Sequence, residues 1–365
     1  MPQQLSPYQR WHLDKPLLTG VLILSGVSLL ILYSADAQGL RIILAQAARL
    51  AVGLLIMVAI AQLRPETLAR WTPYIYLTGL ALLAVVLIVG AITKGAQRWL
   101  DLYIIRFQPS ELMKLGVPLM VAWYFSDRNL PPGLRHTLVA AGIILLPVLL
   151  VAIQPDLGTA LMIMAAGAAA IFLAGMRWYM ILGVLATVAA AAPLVWTYFM
   201  HDYQRRRVLT LFDPESDPLG TGYHTIQSMI AVGSGGFFGK GWNNSSQAFL
   251  EFLPESSTDF VFAVYAEEFG LLGTLVLVSV YLFLFGRGML IATYAQDTYS
   301  RLLAGSLSLT FFLYFFVNIG MVTGILPVVG VPLPVISYGG SSIVTILAGF
   351  GILMSIHTHR RIVQF

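Results

Sequence analysis

About ten runs of mostly apolar residues, each close to 20 residues long, dominate this chain and limit what it can fold into. A helix of about 20 residues crosses the ~30 Å hydrocarbon core of a bilayer. Because lipid offers no hydrogen-bond partners, backbone groups must be satisfied within helices or closed barrels. Runs of this length therefore predict transmembrane helices. The predicted spans are residues 16–35, 42–63, 72–92, 111–125, 137–153, 157–175, 178–200, 269–287, 302–325 and 341–357.

The composition agrees with a membrane protein. Of 365 residues, 58% are hydrophobic and only 10% are charged, whereas a typical soluble domain has about 25% charged residues. We therefore predict an all-α, polytopic membrane protein with a single domain, residues 1–365. The net charge of +4 does not indicate nucleic-acid binding, because the basic residues are scattered between apolar segments. The absence of cysteine excludes disulfides, thiolate metal sites and cysteine nucleophiles.

The basic residues predict the orientation of the chain, because cytoplasmic loops carry an excess of Lys and Arg. This bias places both termini, residues 1–15 and 358–365, in the cytoplasm, and no cleaved signal peptide is expected. The connection 201–268, between spans seven and eight, then lies on the extracytoplasmic side and is far longer than the others. Long ordered loops usually carry function. Of the basic residues that we used to assign the orientation, only Arg41, Lys94, Arg98 and Arg106 fall in the outer loops.

Asp259, in "LPESSTDFVFAV", is a carboxylate placed directly against an apolar run. Burying a carboxylate in hydrocarbon is costly unless it is paired, protonated or hydrated. One interpretation is a capping or dipole-pairing acid in the first turn of a helix. The other is a general base at the outer interface, where it would meet a membrane-anchored reactant. The residues alone leave both interpretations open.

Glu111 and Lys114 stand three residues apart at the start of the fourth span and so share one helix face. They could form an ion pair that only neutralises itself. They could also form a wall of a polar cavity, and charges within spans usually face bundle interiors or water-filled cavities. The cavity is the favoured interpretation.

Two short outer segments add further polar candidates. Arg98, in "GAQRWLDL", could bind an anion such as pyrophosphate through its bidentate donors, or form a salt bridge to Asp101. Asp156, in "QPDLGTA", is expected to cap the sixth span. As a second outer carboxylate beside Asp259, it could also help to hold a divalent cation, since Mg²⁺ is usually bound by one or two carboxylates and substrate phosphates.

Two glycine-rich segments could bind an anion. Lys240 ends "GSGGFFGK", whose backbone could face phosphate, although the P-loop spacing is absent and the signal is weak. Near the C-terminus, Pro327, Pro332 and Pro334 prevent a continuous helix, and irregular backbone at membrane depth must be buried in protein or line a cavity. Ser341 then opens the last span, where a helix N-terminus could bind an anion. The alternative is a re-entrant plug needed for packing.

The motifs "GAQRWLDL", "RFQPSELMK", "QPDLGTA", "DPESDPLGTGYHTIQS", "GSGGFFGKGW", "FLPESSTDFVFAVYAEEFG" and "GILPVVGVPLPVISYGGSS" resemble those of the SEDS family (shape, elongation, division and sporulation), in order and over nearly the whole chain. The short N-terminus resembles its cell-elongation branch. The resemblance implies a peptidoglycan glycosyltransferase of the bacterial cytoplasmic membrane that polymerises lipid II. It also implies a class B penicillin-binding protein, the transpeptidase, as a partner, together with other elongation-complex proteins. The family's essential acid falls on Asp259, and Glu111, Lys114 and Asp156 match its polar cavity positions.

The expected reaction is an inverting displacement, because lipid II carries an α-linked pyrophosphate and the polymer is β-1,4-linked. Asp259 would be the general base, and Arg98, Lys114 and Lys240 would stabilise the leaving pyrophosphate. A divalent cation, Mg or Mn, is a candidate helper, and no nucleotide, organic cofactor or nucleic acid is expected. The rival functions are a lipid II flippase and a non-catalytic scaffold for the transpeptidase. Polar residues gather toward the outer side, which favours the enzyme.

Overall fold

The computed structural model describes residues 11–35, 39–93, 96–101, 106–200, 202–213, 222–246 and 255–360. Their helices are α1 (Lys15–Ala35), α2 (Leu40–Ala61), α3 (Pro65–Val89), α4 (Pro109–Ser126), α5 (Leu134–Ile153), α6 (Leu157–Leu173), α7 (Trp178–Leu194), α8 (Asp202–Phe212), α9 (Tyr223–Ser234), α10 (Val261–Thr293), α11 (Thr298–Val322) and α12 (Ser341–Thr358). A π-helical turn, Val195–Phe199, extends α7. A short antiparallel sheet, β1 (Ala91–Thr93), β2 (Ala96–Asp101) and β3 (Arg106–Phe107), joins α3 to α4.

The all-α, multi-span prediction is confirmed. In the described part of the chain, eight helices are long and apolar enough to cross a membrane: α1, α2, α3, α5, α7 with its π-helical turn, α10, α11 and α12. The shorter α6 and the more polar α4 coincide with the two other predicted spans. The three-stranded sheet was not predicted from the sequence.

Helix α10 corrects the predicted boundary of the long loop. It begins at Val261, so residues 261–268, which were assigned to the loop, are helical and buried. At Gly270 the backbone leaves the helical region, with φ 62° and ψ −162°, a conformation open mainly to glycine. A Cβ atom there would lie 2.3 Å from the backbone nitrogen of Gly239. The glycine-rich loop therefore packs against α10 at a kink that separates a short outer segment from the spanning helix.

Helix α4 lies in the middle of the bundle, in contact with α3, α5, α6 and α11. Most of its side chains are buried, including both charged ones. In contrast, the only buried residue of α7 is Met180. Because α4 is buried on nearly all sides, its charged residues face protein rather than lipid.

The chain segment 323–340, between α11 and α12, is irregular, as its prolines predicted, and residues 331–337 are largely buried. Two of its backbone carbonyls accept from neighbouring helices: the Tyr281 hydroxyl donates to Pro334 O at 2.6 Å, and the Ser28 hydroxyl donates to Ile336 O at 2.9 Å. We call this stretch the re-entrant segment. It lies at the same end of the bundle as the small sheet and the long loop, which we call the loop end. The opposite end, where residues 12–14 contact residues 287 and 357–359, is the termini end.

Candidate functional site

Asp259 lies in a turn, residues 255–260, immediately before α10 rather than inside its first helical turn. The turn closes on Glu255, whose carbonyl accepts from the backbone N–H groups of Thr258 (3.0 Å) and Phe260 (3.3 Å). The helix begins only after this closure, so its N-cap is Phe260, without a side-chain cap bond. The expectation that Asp259 lies in the first turn of the helix is therefore wrong by two residues.

Asn318 of α11 fixes the backbone of this turn. Its side-chain amide donates to Asp259 O and to Val331 O, each at 2.8 Å. Asn318 is fully buried, so these bonds form away from competing water. One side chain thereby ties the Asp259 turn to the re-entrant segment.

The re-entrant segment holds the same turn from the other side. The Ser337 hydroxyl donates to Thr258 O at 2.5 Å and accepts from Leu333 N–H at 2.8 Å. The backbone N–H of Tyr338 donates to Ser257 O at 2.8 Å. These bonds use main-chain carbonyls of the turn, so they fix the position of Asp259 independently of its carboxylate.

Asp259 and Asp156 lie on either side of one loop of the re-entrant segment. A Cβ atom added to Gly330, where φ is 73°, would be 3.4 Å from Asp259 Oδ2. A Cβ atom added to Gly158, at the start of α6, would be 2.4 Å from Val329 O. The absence of side chains at both glycines lets this loop pack closely against Asp259 and against the helix that Asp156 begins.

Asp156 caps α6, as predicted, with Oδ1 accepting from Thr159 N–H at 3.3 Å. Its other oxygen accepts from the Gln108 side-chain amide at 3.1 Å. Arg98 Nη1 lies 3.8 Å from Asp156 Oδ1. The acid is thus a cap and also the partner of a cation.

Arg98 projects from β2 onto the turn between α5 and α6. Its Nη2 donates to Pro155 O and its Nε to Gln154 O. About a third of its side chain remains exposed. Its described ionic partner is Asp156, while the side chain of the alternative partner, Asp101, lies outside the described residues. The structure therefore brings together two residues, Arg98 and Asp156, that the sequence singled out separately.

Glu111 and Lys114 form a buried ion pair and also line a cavity, so the geometry fits both interpretations of this pair and does not choose between them. The Lys114 Nζ to Glu111 Oε1 distance is 2.6 Å, and the residues are only 6% and 5% exposed. The Lys114 ammonium also lies 4.8 Å from the centre of the Tyr314 ring. A cavity of about 50 Å³ lies between α4, α11 and α12, lined by the pair, by Tyr314 and by hydroxyl-bearing Ser342. That volume is enough for a few waters.

Lys240 and Ser341 are placed differently from the other candidates. Lys240 Nζ is 2.5 Å from Glu267 Oε1 and donates to Ser246 Oγ at 2.9 Å. Glu267 is fully buried in the outer segment of α10, so Lys240 neutralises a buried acid. Ser341 begins α12, but the cavity is lined by the next residue, Ser342. The observed contacts therefore do not join either residue to the Asp156–Arg98 pair or to the Asp259 turn.

The sequence analysis missed three residues that shape the site. Asn318 clamps the Asp259 turn, Tyr314 faces Lys114, and the Arg49 guanidinium lies 4.2 Å from the centre of the Tyr338 ring in the re-entrant segment. Arg49 and Asn318 each interrupt an apolar span, and an intramembrane polar residue is itself a signal of function. Tyr314 carried no such signal, because tyrosine is common in the spans of this chain.

His224 on α9 supports the turn from the outside. Its ring stacks on Phe260 with centroids 5.8 Å apart and an interplanar angle of 20°. Burial lowers the pKa of His224 below its ordinary value of 6.5; Glu255 opposes this shift, and Arg207 acts in the same direction as burial. The amphipathic α9 therefore packs an imidazole whose protonated form is disfavoured by burial against the residue that follows Asp259.

Within the described ranges, no group of three or more metal-ligating side chains is close enough to hold an ion unaided. The oxygen donors Asp156 and Asp259 suit Mg²⁺ or Mn²⁺ only in combination with further oxygens, such as those of phosphates.

Comparison with known proteins agrees with this architecture. The family model for the FtsW, RodA and SpoVE cell cycle proteins matches residues 12–362. The chain is 52% identical to the peptidoglycan glycosyltransferase MrdB of Escherichia coli K12, covering 100% of this chain and 98% of that protein. It is 34% identical to MrdB of Helicobacter pylori J99, with 96% and 91% covered.

Solved structures show the same fold. A chain from a peptidoglycan synthase complex that coordinates polymerization and crosslinking superposes with a TM-score of 0.82 at 32% identity, with 94% of this chain and 97% of that chain covered. The rod shape determining protein RodA of Thermus thermophilus gives a TM-score of 0.72 at 28% identity, with 94% and 96% covered. The apolar helices and these relatives identify an integral membrane protein. The chain belongs to the FtsW, RodA and SpoVE family of cell cycle proteins, the SEDS family.

Proposed function

We propose that this chain is a peptidoglycan glycosyltransferase that polymerises lipid II into β-1,4 glycan strands during cell elongation. Its full-length relatives bear the name peptidoglycan glycosyltransferase, and the structural neighbours include a RodA protein and a chain of a peptidoglycan synthase complex. The arrangement of polar groups at the loop end supports the same activity.

The proposed mechanism rests on one observation: hydrogen bonds hold the turn at residues 255–260, which contains Asp259, in a fixed position. Bonds from Asn318, Ser337 and Tyr338 hold its main chain. Asp259 is only partly buried, so its carboxylate can be reached by a substrate from the outer side. Fixing a base in advance removes orientational freedom that the reaction would otherwise have to restrict. Asp259 is therefore the proposed general base.

In the proposed step, the acceptor hydroxyl attacks the anomeric carbon of the donor. The Asp259 carboxylate takes the hydroxyl proton as the new carbon–oxygen bond forms. The bond from the anomeric carbon to the pyrophosphate oxygen breaks on the opposite face, and the lipid pyrophosphate leaves with the electron pair. One displacement inverts the α-linkage of the donor to the β-linkage of the polymer.

The leaving pyrophosphate needs positive charge beside it. Arg98 is the best-placed cation, because it lies at the loop end, is partly exposed and is held by the turn that carries Asp156. Asp156, together with substrate phosphates, would hold Mg²⁺ or Mn²⁺, which would supply further charge neutralisation. Lys114 is neutralised by Glu111 and lines the cavity, so its proposed role is to bind polar substrate groups there.

We further propose that both termini are cytoplasmic and that the loop end is extracytoplasmic, as the distribution of basic residues predicts. The partner is a class B penicillin-binding protein, which would crosslink the strands made here. The peptidoglycan synthase complex among the structural neighbours supports a partner of this kind. Other elongation-complex proteins would bind the assembled pair.

Polymerisation of labelled lipid II by the purified protein and its partner in detergent tests the proposal. We expect long glycan strands with the native chain and about 10²–10⁴-fold slower polymerisation with Asp259→Asn, which keeps the shape of the side chain but removes its basicity. Detergent leaves no bilayer to cross, so a pure flippase would give no product in either case. A scaffold would give equal product with both chains. Either result would refute the enzymatic assignment.

A further inference from the structure

Arg49 places a permanent positive charge within the span of α2. It follows Leu40, the first residue of that helix, by nine residues, which is about 14 Å of helix. Gln46 and Gly53, three residues before it and four after it, are buried, so Arg49 lies on the face that packs against the bundle. Its side chain is only partly exposed. Arginine keeps its charge in proteins, and a charge within a span normally pairs with another group, so we expect Arg49 to have an anionic partner.

The described residues supply no such partner. No hydrogen bond or ion pair joins the Arg49 guanidinium to another described residue, and its Nη1 atom is buried without an acceptor. The centre of the Tyr338 ring, 4.2 Å from the guanidinium carbon, offers a cation–π contact but no counter-charge. In contrast, Arg98, Lys114 and Lys240 each lie beside a carboxylate. Arg49 therefore differs from the other cations of the site, because no described side chain is its counter-ion.

The groups around Arg49 add positive rather than negative charge. A Cβ atom on Gly340, the N-cap residue of α12, would lie 3.9 Å from Arg49 Nε. Helix α12 has no acidic residue in its first turn and no side-chain cap, and the N-terminus of a helix carries a partial positive charge. An anion bound by Arg49 would be stabilised by both. Gly340, Ser341 and Ser342 are partly exposed, so the site is open, and Ser342 also lines the cavity beside Lys114.

The Asp259 turn lies between Arg49 and Arg98 along the re-entrant segment. The end of the segment near α12 contacts Arg49, and the Tyr338 N–H there donates at 2.8 Å to a main-chain carbonyl of the turn. The loop of the segment at residues 329–330 packs against Asp259 and against the start of α6, where Arg98 pairs with the capping acid. Along this segment, the proposed base is therefore flanked by one cation at each end.

The proposed reaction needs two separate anion sites. Both reactants of the first coupling are lipid-linked pyrophosphates: the donor loses its pyrophosphate, whereas the acceptor keeps its own. Two pyrophosphates repel one another strongly in a partly dehydrated site, so each needs its own positive group. Arg98 is the proposed cation for the leaving group, and Arg49 lies at the opposite flank of the base.

We propose that Arg49, with the Tyr338 ring beside it, binds the pyrophosphate of the acceptor lipid II, while Arg98 binds that of the donor. This assignment rests on the proposed function. Because the charge of the acceptor pyrophosphate does not change during the reaction, Arg49 would stabilise the ground state and the transition state equally. Loss of Arg49 should therefore raise KM for the acceptor and leave kcat unchanged.

The first measurement is binding without turnover, with the full-length protein in detergent and undecaprenyl pyrophosphate as the probe. Native mass spectrometry should count two bound molecules on the native chain. Arg49→Gln and Arg98→Ala should each weaken one of the two sites about tenfold to a hundredfold, from the loss of one charge-assisted contact, and Arg49→Lys should weaken it less. Undecaprenol, which lacks phosphate, should occupy neither site. Inorganic pyrophosphate and phosphatidylglycerol should displace the probe only in large excess, and displacement by an equal amount of either would refute a site for lipid-linked pyrophosphate.

The second measurement separates the two reactants. Lipid II with a blocked acceptor hydroxyl serves only as donor, and an analogue with a non-cleavable link to its pyrophosphate serves only as acceptor. Arg49→Gln should raise KM for the acceptor about tenfold to a hundredfold, at unchanged kcat and unchanged KM for the donor. Arg98→Ala should instead lower kcat, because the charge of the leaving group develops in the transition state. Equal changes of both KM values in Arg49→Gln would refute the assignment to the acceptor.

Arg41→Gln is the matched control, because Arg41 is an exposed arginine at the loop end of the same helix. It should leave probe binding, both KM values and the thermal midpoint unchanged. Native probe binding in Arg49→Gln, with or without a lower thermal midpoint, would show that Arg49 only packs against Tyr338 and would refute the proposal. Two bound probe molecules without any polymer from the native chain would instead refute the proposed function and leave the pyrophosphate site at Arg49 in place.

Discussion

The buried pair Glu111–Lys114 offers a test that separates structural from chemical roles. Lys114→Met removes the cation that lies 2.6 Å from a carboxylate only 5% exposed. Breaking a buried pair in this way costs about 3–5 kcal/mol, because the remaining charge stays buried and uncompensated. The midpoint of thermal unfolding should fall by roughly 6–10 °C, taking about 2 °C per kcal/mol for a large domain.

The double variant Glu111→Gln/Lys114→Met should recover most of that stability. It removes both charges and keeps the side-chain volumes, a change that is often neutral. The remaining deficit should be no more than about 2 kcal/mol, the contribution of a desolvated cation over an aromatic ring such as Tyr314. Polymerisation should stay low, because the polar wall of the cavity is lost.

The assay compares thermal midpoints and initial rates of glycan formation for the native, single and double variants at equal partner occupancy. Asp14→Asn/Arg287→Met is the matched control, since that pair is equally short and lies at the termini end. It should preserve the rate. Recovery of both stability and polymerisation in Glu111→Gln/Lys114→Met would show that this pair is scaffolding and would refute its place in the site.

The remaining predictions concern the loop end. Asp259→Asn should slow polymerisation by about 10²–10⁴-fold at unchanged stability and partner binding, because only basicity is lost; a near-native rate would remove Asp259 as the base. Arg98→Ala should slow lipid II turnover about tenfold to a hundredfold, from the loss of one charge-assisted contact, and Arg98→Lys should stay impaired if the contact is bidentate; unchanged initial rates would exclude the residue. Lys240→Met should destabilise the protein, because it leaves the buried Glu267 carboxylate without its cation, and adding Glu267→Gln should restore stability. A polymerisation rate that stays low in the double variant would place Lys240 at the pyrophosphate, whereas a restored polymerisation rate would exclude Lys240 from that site. The pKa of His224 in the folded protein lies below its unfolded value of about 6.5, so the contribution of the buried imidazole to stability is complete above that pH and is lost as the pH falls toward the folded pKa. Thermal midpoints measured against pH should therefore fall on the acid side in the native chain but not in His224→Phe. Equal pH profiles for the two proteins would contradict this prediction.

The sequence by itself determined the class of fold. Span length is set by bilayer thickness and local hydropathy, so every predicted span coincides with a helix. The irregularity of the re-entrant segment followed from Pro327, Pro332 and Pro334, because proline acts on its own backbone. The capping role of Asp156 could also be predicted from the sequence, since the hydrogen bond from Thr159 N–H to Asp156 Oδ1 joins residues only three apart.

Only the tertiary structure decided which polar groups meet. Asn318 reaches the Asp259 turn across 59 residues of sequence, and Arg98 reaches the turn beside Asp156 across more than 50. The glycine-rich loop gave Lys240 a buried partner, Glu267, that no local spacing indicated. The start of α10 at Val261 likewise depends on how its outer segment is buried against that loop. These contacts depend on how the helices pack against one another, and hydropathy and local spacing along the chain carry almost no information about that packing.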